Sequence, residues 1–157
     1  MAAGTDRALT VEDKDYWETL FKVGKTPWEL NTFAPPLKTF LDSPYAVPPG
    51  TIAVLGAGTG HDAMLFARYG FTVVAIDFAP SAIKATEEKF KSAGILGKTG
   101  FLLERDIFSL HEYAQSFDYV LAHLLLRYSS QPAQSLFLHC ARFTEAGRQD
   151  DRVMVGL

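Results

Sequence analysis

The chain has 157 residues, 48% hydrophobic and 21% charged, which suits one domain around a single buried core and excludes disordered and fibrous classes. Its net charge of −3, with no Lys/Arg run long enough to track phosphates, argues against nucleic acid as a partner. One cysteine, Cys140, rules out an internal disulfide, no apolar stretch reaches spanning length, and the N-terminus lacks the pattern of a signal peptide, so a cytoplasmic protein without a membrane partner is expected.

Residues 1–12 read as a flexible tail. Asp13 to Val23 has helical spacing, with Tyr16, Trp17, Leu20 and Phe21 on one side and Gly24 as its stop. A stretch rich in turn residues follows, holding Thr26-Pro27-Trp28 and Pro35-Pro36, and Leu37, Phe40 and Leu41 mark a short helix that stops at Asp42-Ser43-Pro44. Residues 13–50 thus form a helical segment ahead of the main unit.

From Thr51 the pattern becomes regular. Ile52-Ala53-Val54-Leu55 is an apolar strand; a glycine turn and a helix follow, and Phe71 to Ile76 is a second apolar strand closed by Asp77. Strands without polar alternation are covered on both faces, which predicts a βαβ unit in a parallel sheet. A helix starting near Pro80-Ser81 places Ala82, Ile83, Thr86, Phe90 and Ala93 on one face and stops at Gly94. Phe101-Leu102-Leu103 predicts a third strand ending at Asp106, and Phe117 to Leu121 a fourth. The fold class is α/β, Rossmann-like, with residues 51–123 as its core.

In such a sheet, ligands bind beyond the carboxyl ends of the strands where strand order reverses, and the first strand–loop–helix turn lies there. Gly56, Gly58 and Gly60 let the backbone approach a ligand closely, although a tight turn without a ligand has the same composition. Asp77 follows at the end of the second strand, where a carboxylate accepts hydrogen bonds from both ribose hydroxyls; a helix-leading acid is the structural alternative. The spacing is G-x-G-x-G, and His61 stands where a dinucleotide fingerprint needs its third glycine. That favours S-adenosylmethionine, which has no pyrophosphate to cradle. Asp106 can accept from an adenine amino group while the Ile107 N–H meets a ring nitrogen, or Asp106 can simply cap a short helix over Ile107–Tyr113.

Trp17 with Gly24-Lys25-Thr26-Pro27-Trp28, Leu55 to Asp62, Asp77 and Arg105-Asp106-Ile107-Phe108 together resemble the thiopurine S-methyltransferase family, including its plant thiol and halide methyltransferase branch. The resemblance covers roughly residues 13–123. It implies S-adenosylmethionine as cofactor and methyl transfer to a thiol or another small soft nucleophile, with halide as a further acceptor. It also implies that the aromatics at Trp17, Phe21 and Trp28 close over the cofactor, Phe21 standing where many members have tryptophan. Leu55, Phe78 and, at the cofactor edge, His123 complete the implied contacts. In-line methyl displacement needs positioning and dryness more than acids or bases, so no catalytic residue is assigned. His61, His111 and His139 lack ligand spacing, and no metal is expected.

After His123 the family pattern stops. Back-translating Phe143 to Asp151 and starting each codon one nucleotide later permits Leu-Leu-Lys-Pro-Gly-Gly-Lys-Met-Ile, and the same shift makes Leu124–Gln131 compatible with Phe-Phe-Phe-Ala-Ile-His-Pro-Ser, both family-like. Residues 124–157 therefore read as an out-of-frame tail ended by a chance stop codon, against the alternative of a divergent natural C-terminus. The polar run Arg148 to Arg152 stands where an apolar strand is due, which predicts altered or missing C-terminal strands and leaves the fourth strand as an open edge. A monomer is expected, with association through that edge as the other outcome. The leading functional reading is a methyltransferase; the alternatives are an inactive truncated cofactor-binding remnant and an NAD(P)-binding oxidoreductase.

Overall fold

A computed structural model describes residues 8–10, 13–113 and 116–122, and the backbone of 137–143 and 149–156. Two helices come first, α1 (Lys14–Lys22) and α2 (Pro35–Leu41). The sheet unit then runs β1 (Thr51–Leu55), α3 (His61–Arg68), β2 (Thr72–Asp77), α4 (Pro80–Ser92), β3 (Gly100–Glu104) and β4 (Tyr119–Ala122), followed by β5 (Phe137–Phe143) and β6 (Gln149–Gly156). The predicted boundaries agree to within two residues, except that the expected short helix after Asp106 is a pair of 3-10 turns, Ile107–Ser109 and His111–Tyr113.

Strand order is β3-β2-β1-β4-β5-β6. β1 pairs in parallel with β2 and with β4, and β2 with β3, so the chain winds outward from β1 to β3 and then crosses back to β4. The reversal of order falls beside β1, which puts a crevice beyond its carboxyl end. Helices account for the apolar strands: α3 packs on β2, and α4 on β2 and β3. Ile52, Ala53 and Val54 of β1 are all buried, whereas Phe101 on the marginal strand β3 is exposed. The core joins Leu37 and Phe40 of α2 to Phe66, Phe71, Phe90 and Leu121. The Phe66 and Phe71 rings meet edge to face at 5.2 Å, and Phe71 meets Tyr119 at 5.8 Å.

The helices end as their sequences prescribe. The Gly24 N–H donates to the Phe21 carbonyl and the Lys25 N–H to the Leu20 carbonyl, the doubled closure of a Schellman motif; Gly70 and Gly94 close α3 and α4 in the same way.

The expectation that β4 is an open edge is corrected. β5 pairs antiparallel with β4, from Val120 opposite His139 to Ala122 opposite Phe137, and β6 pairs antiparallel with β5. The backbone of β4 is therefore matched on both sides. The polar run Gln149 to Arg152 lies in β6, which among the described residues is the last strand of the sheet, a position where polar residues are tolerated.

Candidate cofactor-binding site

The loop after β1 is shaped by three left-handed residues, Gly56 (φ 61°), Gly58 (φ 55°) and Gly60 (φ 84°). The Ala57 N–H donates to the Ile76 carbonyl at 3.1 Å, and the Gly58 N–H donates to Asp77 Oδ2 at 3.0 Å, so the loop is sewn to the end of β2. Around Gly56 a Cβ would meet no described atom within 4 Å, which leaves that backbone face open to a ligand. Gly60 is the reverse case, because a Cβ there would lie 2.7 Å from the Thr86 side chain. Thr86 is fully buried on α4, and its hydroxyl donates to the Gly58 carbonyl at 3.0 Å.

Asp77 is buried at 7% exposure. The Ala79 N–H donates to its Oδ1 at 2.9 Å, and Oδ2 takes the Gly58 N–H. Burial pushes the carboxyl above the usual aspartate range, the amides of Ala79, Gly58 and Phe78 pull it back, and nearby Glu29 pushes it up again. A carboxylate offers about four acceptor sites, so these three amides do not exhaust it. His61, at the start of α3, is held below the ordinary histidine range by burial and by Lys89, against the pull of Glu29 and Asp62.

The strand register brings the other candidates to the same end of the sheet. Leu55 pairs with Ile76 and Asp77 with Glu104, and the Arg105 N–H donates to the Asp77 carbonyl at 3.0 Å. Asp106, two residues past β3, is exposed and opens the first 3-10 turn, the Ser109 N–H donating to its carbonyl at 2.9 Å. Ile107, Leu55 and Phe78 are half-buried. His123 lies outside the described residues.

The aromatic residues of the N-terminal segment gather into one cluster. Trp17 meets Trp28 edge to face at 5.2 Å, and Phe21 meets Trp28 at 5.9 Å. Trp28 is buried, while Trp17 and Phe21 are half-buried. Glu29, next to Trp28, accepts the Thr59 hydroxyl at 2.6 Å and the Thr59 N–H at 3.3 Å, and Glu18 in α1 accepts the Ser81 N–H at 2.9 Å and hydroxyl at 2.7 Å. Lys14 adds an ion pair to Glu104 at 2.8 Å, and the Ala34 N–H donates to Asp62 at 2.8 Å. Sequence reasoning missed Glu18, Glu29, Thr59, Ser81 and Thr86. Two of these carried a local signal: Glu29 directly follows the Thr-Pro-Trp segment, and Glu18 directly follows Trp17.

Two solved structures share this fold. One, from work on the conversion of a disulfide bond into a thioacetal group during echinomycin biosynthesis, has a TM-score of 0.58 and 23% identity over 68% of this chain and 45% of its own. The other is the 1,6-didemethyltoxoflavin-N1-methyltransferase of Burkholderia thailandensis with bound S-adenosylhomocysteine, at TM-score 0.53 and 21% identity over 75% of this chain and 52% of its own. The parallel strands β3-β2-β1-β4 with a glycine loop at the reversal of strand order make the fold Rossmann-like, as in these structures. Thiocyanate methyltransferase 1 of Brassica oleracea is 33% identical over 84 residues, which are 54% of this chain and 36% of that protein. Residues 12–117 match the thiopurine S-methyltransferase family, and the chain belongs to that family. It spans less than two thirds of the length of each of these relatives.

Proposed function

We propose that this chain is the cofactor-binding part of an S-adenosylmethionine-dependent methyltransferase whose acceptor is a thiol or another small soft nucleophile, with halide as a further acceptor. The observation that carries the reading is the pairing of Asp77 with the loop amide of Gly58, beside a Gly56 face open to a ligand. The residues fit the cofactor: a carboxylate whose acceptor sites are not exhausted by its amide bonds suits ribose hydroxyls, and clustered rings suit a sulfonium.

Bound S-adenosylmethionine would supply an electrophilic methyl group to an acceptor in line with its sulfonium bond, the sulfur leaving as a neutral thioether. The protein's work is to bind, orient and keep water out. In this reading Asp77 accepts from the ribose hydroxyls, Asp106 from the adenine amino group, and the Ile107 N–H donates to a ring nitrogen. The segment 13–50 acts as a lid over the core 51–123, with Trp17, Phe21 and Trp28 presenting π faces to the cation. Gly56, Gly58 and Gly60 admit the cofactor beside Leu55 and Phe78, with His123 at its edge. The lone Cys140 suits a reducing compartment, and the cytoplasm is the proposed setting. Residues 124–157 are proposed to be out-of-frame translation; coding DNA whose codons forbid Lys-Pro-Gly-Gly in the shifted frame overturns that.

Calorimetric titration with S-adenosylhomocysteine and with NAD tests the main proposal. Binding of S-adenosylhomocysteine alone is expected. NAD binding alone refutes the assignment, and binding of neither identifies an inactive remnant. Release of S-adenosylhomocysteine on mixing the methyl donor with small thiols or with iodide then identifies the acceptor class.

A further inference from the structure

The N-terminal segment does more than rest on the sheet unit. It reaches the two turns that frame the site with one carboxylate each: Glu29 on Thr59, in the glycine loop, and Glu18 on Ser81, at the start of α4. Both contacts are two-pronged, with a backbone N–H and a hydroxyl of one residue converging on one carboxylate. The Glu18 contact also replaces local chemistry that is missing, since Ala79, the N-cap of α4, gives no side-chain cap and Ser81 is in the first turn of that helix, while Thr59 lies just ahead of Gly60, the N-cap of α3. Helix capping supplied from a distant segment couples the position of that segment to the shape of the loops.

We propose that Glu29 and Glu18 are paired clasps that hold the aromatic segment shut over the glycine-loop end of the sheet, and that release of the Glu29–Thr59 clasp sets the rate of cofactor exchange. Glu29 is a positioning residue here, acting through Trp28, its neighbour in sequence. Glu18 acts through Trp17 in the same way. The second statement rests on the cofactor assignment above; the first does not.

The chain contains two tryptophans, Trp17 and Trp28, so fluorescence reads this segment alone. Acrylamide quenching without ligand tests the clasps directly. Glu29→Ala should raise the quenching constant, Thr59→Val should raise it less because the Thr59 N–H still reaches Glu29, and the double variant should match Glu29→Ala, which already removes both bonds. Glu18→Gln should raise quenching independently of Glu29→Ala, while far-UV circular dichroism stays that of the parent chain. Stopped-flow displacement of S-adenosylhomocysteine should show dissociation faster by at least about tenfold in Glu29→Ala, which loses both bonds to Thr59, with Glu29→Gln falling between it and the parent. Quenching that does not change, or additive effects of Glu29→Ala and Thr59→Val, overturns the clasp. Raised quenching with parental dissociation rates overturns its role in exchange. If S-adenosylhomocysteine binds no variant and not the parent, the cofactor assignment fails, while the quenching result still decides the clasp.

Discussion

Asp77 carries two loads. As an acceptor for the Gly58 and Ala79 amides it fixes the loop, and as the proposed ribose ligand it fixes the nucleoside. Asp77→Ala should therefore abolish S-adenosylhomocysteine binding by calorimetry and also lower stability by about 2–4 kcal/mol, because two buried N–H groups lose their partner. Binding at parental affinity would reject the ribose assignment. Its carboxyl lies above the ordinary aspartate value of 3.8, so the proton competes with ribose at a pH higher than an exposed aspartate would allow. Affinity for S-adenosylhomocysteine should fall on acidification with a midpoint above 3.8, as a pH series of titrations would show. Glu18 has the opposite sign. Its desolvation works upward, but the Ser81 bonds and Lys22 outweigh it and hold the carboxyl below 4.5, so the contact to Ser81 is complete above 4.5 and is lost as pH drops through the lower folded value. Tryptophan quenching at acid pH should consequently approach that of Glu18→Gln. Asp77 could be read from the sequence, because strand end and glycine loop lie close along the chain. The pairing of Glu29 with Thr59 could not, since 30 residues separate them and neither residue announces the other.

The glycine loop distinguishes two kinds of glycine within one element. Gly56→Ala meets only the cost of a left-handed backbone, about 1–2 kcal/mol, and places its methyl on the face proposed for the cofactor. Gly60→Ala meets that cost and the Thr86 side chain as well, and should lose about 2–4 kcal/mol in a denaturant titration. Adding Thr86→Ala to Gly60→Ala should recover part of the steric share, so that the pair costs less than the sum of the singles. The strands and helices from Thr51 to Ser92 were legible because two buried strands leave unbroken apolar runs and α4 leaves a helical stripe. The segment after Asp106 was less so: its apolar residues are too few to separate one helix from two 3-10 turns. The pairing of β5 with β4 was illegible in principle, because it joins Leu121 to Leu138 across a run whose pattern resembles no family strand.

At the scale of the molecule, four parallel strands build the side proposed for the nucleoside and an antiparallel pair extends the sheet beyond β4. Ligand that binds only the folded chain adds stability by mass action, about 2.7 kcal/mol at a hundred times Kd, so S-adenosylhomocysteine should raise Tm by about 5–10 °C while NAD leaves it unchanged. Hydrogen exchange at the amides of Val120 to Ala122 should show the protection of a strand paired on both sides rather than the rapid exchange of a margin. The double bonding of Asp77 also has a meaning for descent. Because Gly58 and Ala79 need that carboxylate whether or not a ribose arrives, a lineage that lost turnover would still be held to this acid by folding alone, and its nucleoside half would outlast its chemistry.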